Sequence, residues 1–306
     1  MRVDRPASPQ AFFRLGSLIG VLLAVAPSAF ADETMLRPDG SELSYRLDIP
    51  EGTGKVPLAV IAQGSGCVGA RSSVAVRTVT SAFAPMATLT VEQYGVLPGD
   101  DGSVACSADF ASHALMSQRV ADYEQVINGL GEAAWWSGEL VLFGGSEGGL
   151  VMARLAPRVE ADAAILLSTA PGVSFDQIVL SNVPPEGHET VRGLFERARN
   201  APDSDEKFSG YTFRFWADAI AVTAVDEMLS SSTQFLAIHG GKDPVPVDYS
   251  RVAADRYSDA GRCELTYWEF PNYGHGMEDA AGTSHMAAVA AAAVGWASAR
   301  LAAPGC

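Results

Sequence analysis

Short apolar runs alternate with segments of helical spacing along most of the chain. Runs typical of strands occur at residues 44–49, 57–62, 87–92, 140–143, 162–167, 234–238 and 265–270, and the first alternates like an exposed edge strand. Helical spacing occurs at residues 118–130, 147–155 and 285–301, and Pro157 ends the second of these helices. This alternation predicts an α/β fold with a mostly parallel sheet and helices on both faces.

Residues 172–232 interrupt the alternation. The segment is too long for a simple connection between a strand and a helix, and it contains no obvious buried strand. We interpret it as an inserted helical cap. Its aromatic side chains are expected mainly to pack the cap against the sheet, with substrate contact as the alternative; they are Phe195, Phe208, Tyr211, Phe213, Phe215 and Trp216.

Composition limits the classes of function. The chain has 306 residues, of which 48% are hydrophobic and 19% charged, which is enough for one large core. The formal net charge is -15, so the protein lacks the positive surface that neutralises phosphates. This excludes nucleic acid as a partner. Since the sequence has no H-E-x-x-H or C-x-x-C motif, we expect neither a metal nor an organic cofactor. The oligomeric state is left open.

The N-terminus has the features of a secretory signal peptide. Arg2, Arg5 and Arg14 precede an apolar stretch at residues 15–26, and a small-x-small site follows at residues 29–31. We expect cleavage after Ala31, giving a signal peptide of residues 1–31 and a domain of residues 32–306 in the periplasm or outside the cell. The alternative is an uncleaved anchor, although the stretch is shorter than the roughly 20 residues of a spanning helix. No second stretch is long enough to span a membrane.

Export favours disulfide bonds among the four cysteines. Cys67 follows one predicted strand and Cys106 lies in the loop after the next, so both are expected at one edge of the sheet. Cys263 precedes the last strand, and Cys306 follows a helix that returns antiparallel to it. We therefore predict the pairs Cys67–Cys106 and Cys263–Cys306, with free buried thiols as the alternative.

A G-x-S-x-G pattern lies between a predicted strand and a predicted helix. It runs from Gly144 to Gly148 and places Ser146 on a sharp turn that only small flanking residues permit. Such a turn exposes the serine hydroxyl and directs the Glu147 backbone N–H at a developing oxyanion. The pattern therefore indicates a nucleophile at Ser146, and a plain glycine-rich loop is the alternative.

Candidate partners for Ser146 follow later strands. Serine, acid and histidine in that chain order form one of the known arrangements of a catalytic triad. Asp243 comes in the turn after residues 234–238, and His275 lies in a glycine-flanked loop after residues 265–270. Parallel strands would bring these positions to one sheet edge. Asp248 is the main rival acid, and the remaining histidines, His113, His188, His239 and His285, are expected to be structural or solvated.

The loop after residues 57–62 is a candidate second half of an oxyanion hole. It reads Gln-Gly-Ser-Gly-Cys at residues 63–67, and its glycines allow the main chain to approach a substrate oxygen closely. We expect the second N–H donor to be Ser65 or Gly66. A phosphate-binding loop is disfavoured because the lysine of the P-loop pattern is missing.

Together these motifs resemble the α/β-hydrolase superfamily over about residues 41–301. The matching features are the loop at Gln63, the elbow at Ser146, and the loops at Asp243 and His275. The resemblance implies a sheet of about eight strands with an insertion after the sixth. Gln63 replaces the family's usual histidine, which matters little where the donor is a backbone group.

The expected chemistry is acyl transfer to water through an acyl-enzyme. Ser146 attacks, His275 moves the proton and Asp243 orients the imidazole. The predicted substrate is a small-molecule carboxylic ester. A peptidase or aminopeptidase of the same fold is the alternative, in which the Glu147 carboxylate meets a cationic group, although a role at the helix start is favoured for it. A non-catalytic binding protein is the second alternative.

Overall fold

A computed structural model describes residues 32–52, 54–220, 223–303 and 305. The strands in these residues are β1 (Glu33–Leu36), β2 (Glu42–Asp48), β3 (Val56–Ala62), β4 (Ala87–Val91), β5 (Trp136–Gly145), β6 (Ala163–Leu167), β7 (Lys207–Phe208), β8 (Tyr211–Thr212), β9 (Gln234–Gly240) and β10 (Leu265–Phe270). The helices are α1 (Val74–Ala82), α2 (Ala108–His113), α3 (Met116–Gly129), α4 (Glu147–Leu155), α5 (Phe175–Ser181), α6 (His188–Asn200), α7 (Phe213–Ala219), α8 (Ala224–Leu229), α9 (Asp248–Asp259) and α10 (Met286–Ala302).

Eight strands form the main sheet, in the order β1-β2-β4-β3-β5-β6-β9-β10. β1 is antiparallel to β2 and β2 to β4, while the other neighbours are parallel. The predicted fold class, a mostly parallel sheet of about eight strands, is therefore confirmed. Parallel strands with both faces buried explain the continuous apolar runs of the sequence.

The prediction of an exposed edge strand at residues 44–49 is wrong. β1 pairs with β2 from Glu33 opposite Tyr45 to Leu36 opposite Glu42, so β2 is an inner strand. β1 has only four residues, and three of them are exposed. A segment this short and this exposed carries almost no hydrophobic periodicity, which is why the sequence pattern does not indicate it.

Side chains of the inner strands alternate between two apolar layers. On β3, Val60 and Ala62 face the layer that contains α3 and α4, whereas Ala59 and Ile61 face the layer that contains α1 and α10. Each large side chain buried in this way contributes about 1.5–3 kcal/mol relative to exposure. The two layers hold the carboxyl ends of β3, β5, β6, β9 and β10 at a common edge of the sheet.

The cap predicted at residues 172–232 lies between β6 and β9, after the sixth strand. Its described residues form α5 to α8, a 3-10 turn and the short β7–β8 hairpin. The Trp216 indole N–H donates to the Phe208 carbonyl at 2.9 Å. As expected, most of the cap's aromatic side chains pack in the core; the buried ones are Phe195, Phe213, Phe215 and Trp216.

The predicted disulfide Cys67–Cys106 is present, with 5.6 Å between the Cα atoms. It joins the loop after β3 to the segment before α2. Cys306 lies outside the described residues, so the pair Cys263–Cys306 stays a prediction. The predicted signal peptide at residues 1–31, with its predicted cleavage point after Ala31, lies outside them as well and stays a prediction. None of the described helices combines the length and the apolarity that crossing a membrane requires.

Candidate active site

Ser146 occupies a sharp turn between β5 and α4. Its backbone has φ 54° and ψ -125°, a left-handed conformation that is costly for a residue with a side chain. The Ser146 N–H donates to the Leu167 carbonyl at 2.8 Å, which ties the turn to the end of β6. Such strain persists only where the surroundings enforce it, at a cost of about 1–3 kcal/mol.

The elbow requires glycine at two flanking positions. A Cβ on Gly144 would lie 2.2 Å from the Gly148 carbonyl oxygen, and a Cβ on Gly148 would lie 2.3 Å from the Gln63 carbonyl oxygen. Neither gap admits a side chain without moving backbone. The glycines of the motif therefore allow α4 to begin directly against the β5 end and the loop after β3.

Asp243 and His275 meet across the ends of β9 and β10. The His275 Nδ1–H donates to Asp243 Oδ2 at 2.8 Å, and the Asp243 side chain is fully buried. The other carboxylate oxygen accepts the Val245 N–H at 2.9 Å. The hydrogen bond that His275 donates to Asp243 raises the pKa of His275, while burial opposes the rise. This arrangement fixes one tautomer of His275 and leaves its Nε2 as an acceptor.

Asp248, the rival acid, lies elsewhere. It is the first residue of α9, its side chain is 76% exposed, and it pairs with Arg251 at 2.7 Å. A carboxylate near a helix N-terminus is stabilised by the helix dipole without any role in catalysis. Asp243, and not Asp248, contacts a histidine.

His239 is buried directly beneath the Asp243 turn. Its Nε2–H donates to the Val245 carbonyl at 3.1 Å, and its Nδ1 accepts from the Ser250 hydroxyl at 2.7 Å. Its Nε2 lies 3.6 Å from Asp243 Oδ2. Burial lowers the pKa of His239, so the neutral ring holds the turn in place. The remaining histidines contact local groups: His113 stacks on Tyr94, and His188 and His285 bond to Val183 and Asp279.

Ser168 and Thr169 connect the elbow to the histidine loop. The Ser168 hydroxyl donates to the His275 carbonyl at 2.8 Å, and the Thr169 hydroxyl donates to the Ser146 carbonyl at 3.3 Å. Ser168 has φ 51°, a second strained residue at this edge. Neither residue was predicted from the sequence. Their only signal is their position immediately after β6, the strand next to β5.

The loop at residues 63–67 lies against the elbow. A Cβ on Gly64 would be 3.5 Å from Ser146 Cβ, so Gly64 is the part of the loop in contact with the serine. Gly66 has φ 93°, and its carbonyl accepts from Gln93 Nε2 at 2.9 Å. Ser65 is exposed. Glu147 begins α4, where backbone N–H groups have no partner within the helix.

Arg119 on α3 holds this loop from behind. Its guanidinium donates to the Gln63 carbonyl at 2.6 Å and to the Glu147 carboxylate at 2.8 Å, and both side chains are buried. Burial raises the pKa of Glu147, and the Arg119 charge opposes the rise. The Glu147 carboxylate thus faces the protein interior. Arg119 was not predicted from the sequence, although its position on the apolar stripe of α3 beside Val120 was a usable signal.

Tyr211 brings the cap to the same loop. Burial, together with the Glu147 charge, raises the pKa of its phenol to about 12, while hydrogen bonding to the Gly66 backbone and the Ser65 side chain lowers it. The ring stacks on Phe215 at 4.0 Å between centroids. Tyr211 is therefore the cap aromatic that reaches the site, whereas its neighbours serve packing.

A small cavity opens at the sheet edge beside the elbow. It has a volume of about 70 Å³, and we call it the edge cavity; among its lining residues are Gln63, Gly64, Val76, Phe143, Gly145 and Leu167. The apolar lining comes from the layer under α1 and α10. Within the described residues, no cluster of three or more histidine, cysteine or acidic side chains is arranged to hold a metal ion.

Solved structures share this architecture. Est1E from Butyrivibrio proteoclasticus, solved with ferulic acid bound, matches with a TM-score of 0.62 at 20% identity, covering 87% of this chain and 98% of that one. Alpha/beta hydrolase domain-containing protein 10 from mouse matches with a TM-score of 0.52 at 17% identity, covering 89% and 99%. The chain has the α/β-hydrolase fold.

The α/β-hydrolase fold also includes peptidases similar to this chain. A puromycin-hydrolyzing peptidase from Mycobacterium tuberculosis matches with a TM-score of 0.58 at 15% identity, covering 86% of this chain and 38% of that one. No protein-family model matches the chain, and no curated protein matches its sequence. The resemblance predicted from the motifs is therefore confirmed at the level of the fold, which hosts many chemistries.

Proposed function

We propose that this protein is a serine hydrolase that cleaves small carboxylic esters. The observation that carries the proposal is the 2.8 Å hydrogen bond between His275 and the buried Asp243, at the sheet edge where Ser146 occupies its strained elbow. An acid that orients a histidine, at the same sheet edge as a half-buried serine on a strained turn, is the arrangement that activates a hydroxyl nucleophile.

The reaction proceeds in two transfers. Ser146 Oγ attacks the carbonyl carbon while His275 Nε2 takes its proton, and the Glu147 N–H with the N–H of Ser65 or Gly66 stabilises the oxyanion. The intermediate collapses as His275 protonates the leaving alcohol, which leaves an acyl-enzyme. Water then attacks this ester with His275 as the base, and collapse releases the acid and restores Ser146.

Glu147 favours ester over aminopeptidase chemistry. An aminopeptidase needs a free carboxylate for the cationic amino group of its substrate, and the Glu147 carboxylate is already paired with Arg119 inside the protein. A neutral acyl substrate makes no such demand. Overall similarity to solved structures does not separate ester hydrolysis from aminopeptidase activity. The contact between Glu147 and Arg119 is the observation that favours ester hydrolysis.

A fluorophosphonate probe tests the proposal, because it labels only an activated serine. We expect one label on the wild-type protein, none on Ser146→Ala, and full labelling of Ser298→Ala, a matched change at an exposed serine of α10. The 4-nitrophenyl ester of butyric acid should be cleaved faster than amino-acyl 4-nitroanilides. An unlabelled wild-type protein would favour a non-catalytic binding role, and faster anilide cleavage would favour a peptidase.

We further propose that the protein is exported and acts in the periplasm or outside the cell. The signal-like N-terminus and the Cys67–Cys106 disulfide, a bond typical of oxidising compartments, support this location. N-terminal sequencing of the protein from the extracytoplasmic fraction should begin at Asp32. Recovery of the intact N-terminus in the membrane fraction would instead indicate an uncleaved anchor.

A further inference from the structure

The carboxylate of Glu278 lies against the loop that carries His275. A Cβ added to Gly274 would lie 2.1 Å from Glu278 Oε1, and one added to Gly276 would lie 3.0 Å from Oε2. The space that a side chain at Gly274 would need is therefore occupied by this carboxylate. Gly274 and Gly276 directly precede and follow His275. A second acidic group thus lies at the histidine loop in addition to Asp243, which bonds to the ring.

The backbone of the loop brings Glu278 to this place. The Gly274 N–H donates to the Glu278 carbonyl at 2.8 Å, and the Met277 N–H donates to the Gly274 carbonyl at 3.1 Å. Met277 has φ 60°, a conformation that residues with a side chain seldom adopt, and its side chain is fully buried in the layer under α1 and α10. The buried Met277 fixes the turn after His275, and this turn returns Glu278 to the two glycines.

No structural bond of the described residues accounts for the Glu278 carboxylate. Within that part of the chain it accepts no hydrogen bond and joins no salt bridge. Lys242 lines the same cavity as Glu278, but it is exposed and does not pair with it there. The adjacent Asp279 differs, since it accepts from the Thr283 N–H at 3.0 Å and bonds to His285 at 3.0 Å. The charge of Glu278 is therefore not neutralised by a salt bridge to a neighbouring side chain.

The charged and titratable groups around His275 can be ranked by their effect on it. The hydrogen bond to Asp243 is the main cause that raises the pKa of His275, burial opposes the rise, and the charges of Asp243 and Glu278 add to it. His239, next to Asp243, is buried, and burial lowers its pKa, so it stays neutral. Glu278 is half-buried, so salt should screen its interaction with His275 more than that of a buried pair.

We propose that Glu278 is a positioning residue that stabilises the charged imidazole of His275 once the ring has taken the Ser146 proton. The inference rests on the proposed ester hydrolysis and adds a second acid to its site. In each transfer His275 carries a positive charge, and a negative charge close by lowers the energy of that state. Asp243 fixes the tautomer through a hydrogen bond, whereas Glu278 acts through space.

The pH profile of Glu278→Gln tests the inference, because the amide keeps the size of the side chain and removes its charge. For 4-nitrophenyl butyrate, the acid limb of kcat/KM should move down by about half a pH unit. The value on the plateau should fall about threefold, which is the same energy expressed as a rate. Both differences should shrink in about 1 M salt, where the Debye length is about 3 Å.

Two further variants complete the comparison. Glu278→Ala removes the same charge and serves should the first variant fail to fold. Asp255→Asn removes one charge from an exposed position of α9 and should leave the plateau and the midpoint unchanged. A purely structural role for Glu278 would lower kcat/KM equally at every pH, so an unmoved midpoint in both Glu278 variants overturns the proposal.

Proton NMR separates this inference from the proposed function. The imidazole signal of His275, identified by its absence from His275→Asn, should titrate at lower pH in Glu278→Gln than in the wild-type protein. If no ester is cleaved, ester hydrolysis is overturned, and the titration alone decides whether Glu278 acts on His275. If esters are cleaved and neither the acid limb nor the NMR titration moves, ester hydrolysis stands and the role of Glu278 is overturned.

Discussion

Arg119 and Glu147 form a buried ion pair, 2.8 Å long, that joins α3 to the first residue of α4. The same guanidinium holds the Gln63 carbonyl at 2.6 Å, so one side chain ties the loop after β3 to the elbow. The two segments that carry the proposed oxyanion-hole donors, the loop at residues 63–67 and the start of α4, are therefore both bonded to the Arg119 guanidinium. Such a pair gives little net stability compared with apolar packing, but losing one partner leaves an uncompensated charge in the interior.

Removing Arg119 should destabilise the protein strongly. Arg119→Met is expected to lower the free energy of unfolding by about 3–5 kcal/mol in urea titrations, because Glu147 is left buried without a partner. Arg119→Met with Glu147→Leu should regain part of that loss. The control is Arg158→Met, which removes an exposed pair with Glu124 and should cost at most about 1 kcal/mol. Equal costs for the two single variants would contradict a structural role for the buried pair.

The two candidate acids should differ widely in their effect on catalysis. Asp243→Asn is expected to reduce kcat by about 10⁴-fold, because an amide stabilises the wrong tautomer of His275 and cannot stabilise its charged form. Asp248→Asn should leave kcat nearly unchanged, since its side chain is exposed and bonds to Arg251. Steady-state kinetics on one ester compare the two variants directly. If Asp248→Asn reduced kcat more than Asp243→Asn, Asp248 would replace Asp243 as the acid of the proposed triad.

Activity should depend on the protonation of His275. The Asp243 hydrogen bond raises the pKa of His275 above the usual 6.5, so the charged ring persists to higher pH than in a free histidine. Because the charged ring cannot accept the Ser146 proton, kcat/KM should fall on acidification with a midpoint above 6.5. Measurements from about pH 4 to 9 on a neutral ester would show this limb. A flat profile in a folded protein would remove His275 as the base.

The Cys67–Cys106 disulfide should stabilise the folded protein. The two cysteines are 39 residues apart. Replacing both with serine is expected to lower the free energy of unfolding by roughly 2–4 kcal/mol, mainly because the unfolded chain gains conformational entropy. Urea titration of oxidised wild type, reduced wild type and the double variant provides the comparison. Reduction also breaks the predicted Cys263–Cys306 pair, so reduced wild type should be no more stable than the double variant. A double variant as stable as oxidised wild type would show that the Cys67–Cys106 bond contributes nothing.

The amino-acid sequence by itself determined the layers of the fold and the sheet edge at which the proposed functional residues lie. Apolar runs of strand length predicted seven of the eight strands of the sheet, all except β1. The glycines around Ser146 indicated a sharp turn, and in the structure a Cβ on Gly144 or Gly148 would lie 2.2 Å or 2.3 Å from a backbone oxygen. Asp243 and His275 were found because parallel strands end at a common edge. These features are local in the chain, or follow from strand direction, so periodicity and spacing carry them.

Only the tertiary structure decided which polar groups meet. Asp243 and Asp248 flank the same short turn, yet one is buried against His275, 32 residues away, and the other is exposed on α9. Arg119 reaches Glu147 and Gln63 across 28 and 56 residues of chain. Contacts at such separations depend on how helices and loops are placed against the sheet. The sequence holds no periodic signal for that placement, because packing of the two apolar layers sets it.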